Sequence, residues 1–302
     1  MSPLGPNRAA LLPADPADIA PSVTTWRLIR SDPADAARNM AVDEAIMTAH
    51  GRGLVPPTLR FYTWQPAAVS IGYFQSLERE IDVEACRRAG FGIVRRPTGG
   101  RAVLHDDELT YSITIAESIL PGSVLATYRY LSRGLLAGFG LIGLRADLTN
   151  PPSRGGEPAA AGVAPAPHGP SAACFDAPSW YELTAAGKKI VGSAQTRKNG
   201  VILQHGAIIL GLDLDKLMAT LRFPSDQVRE RVRQTLAAKA GGIDGAAGRR
   251  VDARELAEAI AAGFTVELGL VLEPGELTPK ELRLADEFER TKYSQNVWNW
   301  RK

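Results

Sequence analysis

Apolar and polar positions repeat along this chain with two periods, and the switch between them marks its elements. Short alternating or apolar runs predict strands at Trp26 to Arg30, Thr58 to Trp64, Ala68 to Gly72, Phe91 to Val94 and Glu108 to Ile115. Three more are predicted at Trp180 to Thr184, Lys189 to Ser193 and Val201 to Leu210. Helical spacing takes over after Asp35, where Met40, Ile46 and Met47 lead to a stop at Gly51, and again from about Gly122 to Gly138. A short amphipathic helix is predicted at Ile81 to Gly90. Later helices are predicted from Leu214 to Leu221, from Asp252 with Leu256, Ile260 and Phe264 on one face, and from Thr278. The last opens with Thr278-Pro279-Lys280-Glu281, a capping box with Pro at the first helical position. Turn chemistry at Gln65-Pro66, Gly187 and Asn199-Gly200 predicts three hairpins, and a fourth is expected where a Gly-Gly turn follows Val94.

Strands come first and in pairs, with helices between and after them. This predicts an α+β fold with a mixed, largely antiparallel sheet packed by helices, without the βαβ rhythm of a dinucleotide-binding domain. Pro151 to Ser171 is Pro, Ala and Gly with almost no large apolar residue, and reads as a mobile insertion. Residues 1–23, rich in Pro and Ala, read as a disordered extension, leaving 24–302 as a single domain. Lys plus Arg number 35 against 33 acids among 302 residues, a balance with no nucleic-acid footprint. No apolar run reaches the ~18 residues of a membrane span. The two cysteines, Cys86 and Cys174, are too few and too far apart for a disulfide framework or a zinc site, which suits a reduced, cytoplasmic protein. Cys86 is expected to be a small buried apolar residue.

Two stretches carry candidate chemistry. In Arg95 to Asp106, two arginines and a Gly-Gly turn bring guanidinium and backbone N–H groups together, which suits a carboxylate, a phosphate or a polarised carbonyl. A surface hairpin with solvated arginines reads equally well from these residues. The second stretch is Cys174 to Gly206. A thiol has a pKa of ~8.5, so a neighbouring cation would be needed to make Cys174 a nucleophile. Spacing alone does not pair it with Lys189, which also reads as a strand-edge lysine, and His205 reads as a structural histidine. Tyr73 and Phe74 suit either an apolar slot or core filling.

Together these stretches resemble the lipoyl/biotinyl protein ligase and octanoyltransferase superfamily. Arg-Arg-x-x-Gly-Gly-x-Ala-Val-x-His-Asp matches Arg95 to Asp106, Lys-x-x-Gly-Ser-Ala-Gln matches Lys189 to Gln195, and His-Gly matches His205-Gly206. The resemblance runs from about Trp26 to Lys302, apart from 151–171, and implies a class II ligase-like catalytic domain. ATP-dependent lipoate ligases usually carry a third glycine where Arg101 stands and lack a cysteine near 174. The segment Cys174-Phe-Asp-Ala-Pro-Ser-Trp-Tyr-Glu-Leu183 is instead similar to the cysteine-dependent octanoyltransferases of the Gram-positive type.

That branch implies octanoyl transfer from acyl carrier protein to a lysine of a lipoyl domain, such as the glycine-cleavage H protein. Cys174 would carry the acyl group and Lys189 would lower its pKa. Arg96, Gly99, Gly100, Arg101, Ala102, His105, Gly192, Ser193, Ala194, His205 and Gly206 would bind substrate. Tyr73, Val103 and Ile190 are candidates for an acyl tunnel. Arg229, Arg231, Arg233, Arg249 and Arg250 are candidate contacts for an acidic carrier, or simply solvated helix faces. No cofactor, metal, nucleic acid or membrane is implied, and a monomer is expected. The alternatives are an ATP-dependent lipoate or octanoate ligase, an amidotransferase between lipoyl domains, and a non-catalytic acyl- or lipoyl-domain-binding module.

Overall fold

The computed structural model describes residues 21–149 and 182–301. Cys174, the 151–171 segment and residues 1–20 lie outside the described residues. In chain order the first half contains β1 (Thr25–Arg30), α1 (Ala36–Gly51), β2 (Thr58–Tyr62), β3 (Ala68–Ile71), α2 (Leu77–Glu80) and α3 (Val83–Arg88). These are followed by β4 (Gly92–Arg95), β5 (Val103–His105), β6 (Glu108–Ala116), α4 (Val124–Leu141) and β7 (Ala146–Thr149). The second half contains β8 (Glu182–Ala185), β9 (Lys188–Lys189), β10 (Val191–Lys198) and β11 (Val201–Ile209). It closes with α5 (Leu214–Thr220), α6 (Asp226–Lys239), α7 (Ile243–Ala247), α8 (Ala253–Leu268), β12 (Val271–Pro274), α9 (Pro279–Phe288) and α10 (Asn296–Asn299).

The main sheet has six strands in the order β10-β11-β6-β2-β1-β12, antiparallel from β10 to β2 and parallel across β1 and β12. Its register follows from alternation. Leu28, Leu59, Tyr111 and Ile113 face α4 and α8 in the largest core cluster, while Ile29 packs on the other side with Val42, Ile46 and Ala285. The expected mixed, largely antiparallel sheet is therefore found. Asn199-Gly200 forms the tight β10–β11 turn with φ of 52° and 73°, and Ala186-Gly187 turns β8 into β9. Thr278 and Glu281 cap α9 reciprocally, and the buried Cys86 lies on α3 with its thiol pushed up to about 11 by burial.

Two expected hairpins do not form. β2 already has β1 on one edge and β6 on the other, so no edge is left for β3. β3 instead centres a second sheet, β4-β3-β5, parallel to β4 and antiparallel to β5. For the same reason β4 and β6 are not joined as a hairpin; they belong to different sheets, with β5 between them in sequence. Other corrections are small. The helix expected from Gly122 starts at Val124 behind a Ser123 cap, and α6 was not expected because only Val232 and Leu236 of its residues are buried. Ser22 donates its N–H to the Ile119 carbonyl ahead of β1. Among the described residues no helix is long and apolar enough to cross a membrane.

α4 and α8 cross backbone to backbone. A Cβ on Gly263 would lie 2.3 Å from the Gly138 nitrogen, and one on Gly138 would lie 2.6 Å from the Ile260 Cα. Ala is the better helix former by ~1 kcal/mol, yet the clash is with main chain that cannot rotate away. Gly263→Ala is therefore expected to destabilise by about 1–3 kcal/mol. Thermal unfolding checks this, and a raised Tm would show that the helices separate freely.

Candidate active site

The second sheet lies against the β6–β11 face of the main sheet, and a pocket opens between them. It offers about 410 Å³ of empty space, open solvent included, and is walled by Met40, Tyr62, Trp64, Ser70, Arg96, Gly100, Val103, His105, Thr110, Gly192 to Ala194 and His205 to Ala207. Arg96, Gly100, His105, Gly192, Ser193, Ala194, His205 and Gly206, expected from two stretches a hundred residues apart, thus meet on one cavity. Gly99, Arg101, Ala102 and Lys189 are not on its wall. Of the tunnel candidates only Val103 lines it. Ile190 is in the main core, and Tyr73 packs outside against Phe74 and Trp298.

A buried carboxylate supports one side. Asp43 on α1 accepts from Arg60 Nη1 at 2.7 Å, Tyr62 Oη at 2.9 Å, Ser112 Oγ at 2.8 Å and His205 Nδ1 at 3.3 Å. Burial alone would raise its pKa, but the Arg60 charge and these hydrogen bonds hold it below the usual carboxylate range. Because Asp43 takes Nδ1–H, His205 Nε2 is left to accept from the Thr98 hydroxyl at 2.6 Å. Thr98 in turn accepts the Tyr73 N–H at 2.8 Å. The Gly-Gly loop is thereby moored to the main sheet. Asp43, Thr98, Ser70 and Trp64 were not among the expected site residues.

A second acid–histidine pair stands opposite. His105 Nδ1 donates to Glu108 Oε1 at 2.9 Å, its Nε2 meets Ser70 Oγ at 2.7 Å, and its ring stacks on Trp64 at 3.9 Å. Thr110 donates to Glu108 and accepts the Trp64 indole N–H. The neighbouring arginines are occupied by main chain. Arg96 donates to the carbonyls of Ser70, Gly99 and Arg101, fixing the shape of the loop. Arg95 donates to the carbonyls of Gly72, Tyr73, Gln75, Trp298, Asn299 and Arg301. Solvated arginines on a hairpin are thus excluded. Gly100, at φ 92°, docks its carbonyl where a Cβ on Gly72 would sit 1.9 Å away. Gly206 lets Ser193 Oγ reach Tyr111 Oη at 2.8 Å, since a Cβ there would lie 2.5 Å from Ser193 Oγ.

Lys189 sits at the head of the segment that leads into Gly192 to Ala194. It is only 6% exposed, not a solvated edge lysine, and its ammonium pairs with Glu182 at 3.0 Å. β8 and β9 make this possible by pairing Thr184 with Lys189. Of the candidate carrier contacts, Arg233, Arg249 and Arg250 pair with Asp215, Glu255, and Asp107 with Asp244, whereas Arg229 and Arg231 are exposed. Among the described residues no group of three or more His, Cys, Asp or Glu is placed to hold a metal.

Burial lowers the His205 pKa, so folding favours the neutral ring. That contribution is present above the unfolded value of ~6.5 and is lost as pH falls through it; the lowered Asp43 pKa extends the loss into the carboxylate range. His205→Gln is expected to cost about 1–3 kcal/mol at pH 7 and to flatten the decline in stability between pH 7 and 5. Urea melts across that range check this, and a decline as steep as that of the parent protein would remove His205 as its source.

The model for the lipoyl protein ligase A/B catalytic domain matches residues 35–265. Over 280 residues, 92% of this chain and 99% of the relative, the chain is 52% identical to the octanoyltransferase LipM of Kyrpidia tusciae. It is 44% identical to octanoyltransferase LipM of Bacillus subtilis at the same coverage. Among solved structures, a bipartite lipoate protein ligase from Thermoplasma acidophilum superposes with a TM-score of 0.73 at 26% identity, over 92% of this chain and 96% of that one. Lipoate-protein ligase A bound with ATP gives 0.72 at 27%, over 91% and 98%. With its pocket built from the two matching motifs, the chain belongs to the lipoyl protein ligase A/B catalytic-domain family and, within it, is an acyltransferase of the octanoyltransferase branch.

Proposed function

We propose that octanoyl transfer by this enzyme runs through a thioester on Cys174, from octanoyl-acyl carrier protein to a lysine of a lipoyl domain such as the glycine-cleavage H protein, in the cytoplasm. The observation that carries the reading is the buried Lys189 ammonium, held by Glu182, on the segment that enters the pocket wall. Glu182 closely follows Cys174 in sequence, so the chain between them is short. A lysine in that position stabilises a thiolate and then the oxyanion that forms from the thioester carbonyl.

The chemistry balances in two steps. The Cys174 thiolate attacks the donor thioester, the carrier thiol leaves with a proton, and the octanoyl group stays on sulfur. The neutral amine of the acceptor lysine then attacks that carbonyl, the C–S bond breaks, an amide forms, and the Cys174 thiolate is released, while the proton shed by the nitrogen passes to solvent and balances the one taken up by the carrier thiol. Thioester to amide is downhill, so neither ATP nor a cofactor enters the balance. The Gly99–Ala102 main chain, braced by Arg96, flanks the acyl carbonyl in this reading, and the apolar part of the pocket takes the chain. His105, Gly192, Ser193, Ala194, His205 and Gly206 shape that pocket.

The test is intact mass after mixing the enzyme with octanoyl-acyl carrier protein in the absence of ATP. The expected result is one octanoyl adduct, labile to hydroxylamine, on the parent protein and none as a thioester on Cys174→Ser. Acylation of a lipoyl domain only with free octanoate and Mg-ATP, surviving Cys174→Ala, would overturn the covalent route in favour of a ligase. Lys189→Ala is expected to slow adduct formation by about 10²–10³, which rapid-quench mass spectrometry reads directly.

A further inference from the structure

The pocket has a direction. Of its lining, Gly100 is exposed and Ser193 and Ala194 are half-buried, which marks the side open to solvent. Met40, Tyr62 and Trp64 are 1%, 1% and 6% exposed and belong to one apolar cluster, which marks buried apolar wall. A linear acyl chain that enters past Gly100 and Ser193 with its carbonyl outward therefore brings its methyl end to the Met40–Tyr62–Trp64 wall.

Two of those three side chains are pinned. Tyr62 donates its hydroxyl to Asp43 at 2.9 Å and lies under the Arg60 guanidinium at 3.9 Å. Trp64 donates its indole N–H to Thr110 at 2.8 Å and stacks on His105. Displacing either would leave a buried polar group unsatisfied. Met40 has neither restraint. It is unbranched, with three rotatable bonds and a thioether that needs no partner, so it can move without a polar penalty. The wall is rigid except at one side chain, which comes from α1.

From this we propose that Met40, backed by Tyr62 and Trp64, sets the length of the saturated acyl chain that the enzyme accepts. The inference rests on the reading that this pocket takes the acyl group. A chain longer than the parent substrate must push Met40 back into the cluster, and a shorter one leaves a gap. In an apolar pocket one methylene changes selectivity by about 10- to 200-fold, so a single wall residue is enough to define the limit.

The experiment uses the full-length enzyme with an equal mixture of hexanoyl, octanoyl and decanoyl thioesters of one acyl carrier protein, and mass spectrometry of the chain delivered to a lipoyl domain. Met40→Ala is expected to raise the decanoyl-to-octanoyl product ratio about tenfold or more, and Met40→Phe to raise the hexanoyl-to-octanoyl ratio similarly. Should the alanine variant not fold, Met40→Val tests the same direction. Opposite shifts from smaller and larger side chains are not produced by a general loss of packing. Product ratios within twofold of the parent protein in both directions would overturn the proposal. The readout is the chain on the acceptor, whatever carries it there, so absence of a Cys174 adduct would sink the covalent route and still leave the length limit tested.

Discussion

A carboxylate buried without counter-charge or hydrogen bonds would cost several kcal/mol, and Asp43 is fully buried. It must be surrounded by donors, and its donors come from the three main-sheet strands β2, β6 and β11. Arg60 and Tyr62 come from β2, Ser112 from β6 and His205 from β11, with Asp43 itself on α1. Satisfying one charge therefore fixes the position of a helix on three strands of the main sheet. Through His205 and Thr98 it also fixes the loop that closes the pocket. The cavity is a by-product of the core rather than an attachment to it, and its wall is as rigid as the hydrogen bonds behind it.

Elements governed by local rules were legible in the sequence. A capping box, an Asn-Gly turn and the 3.6 spacing of Leu256, Ile260 and Phe264 act within a few residues, and all are found as read. The convergence of the two motifs on one cavity was legible through the family resemblance, since spacing alone could not pair Arg96 with Gly192. The division into sheets was not legible. Whether β2 pairs with β3 depends on which other strands compete for its edges, and both edges are taken by β1 and β6. α6 escaped because a helix that packs through Val232 and Leu236 alone shows little apolar face.

Asp43 was missed for a different reason. Acids in helices are usually solvated, and its neighbours in sequence read as ordinary packing residues. A signal was nonetheless there. Met40, Asp43 and Met47 fall at i, i+3 and i+7, so the acid shares a face with two large apolar side chains that bury. An acid on an apolar stripe asks for a cation, and Arg60 in the next strand supplies it. Lys189 teaches the same lesson, because a lysine in a two-residue strand looks solvated until Glu182 is seen across the hairpin.

Arg95 and Arg96 are adjacent, and both collect carbonyls. For Arg96 these are within or beside its own loop. For Arg95, half belong to Trp298, Asn299 and Arg301, more than two hundred positions further along the chain. This has a consequence for biosynthesis. Until the ribosome has added residues 298–301, β4 carries a guanidinium whose remaining acceptors have not been made. β4 is therefore among the last strands to gain its full set of hydrogen bonds, whereas the loop that follows it finds Ser70 and His205 already made.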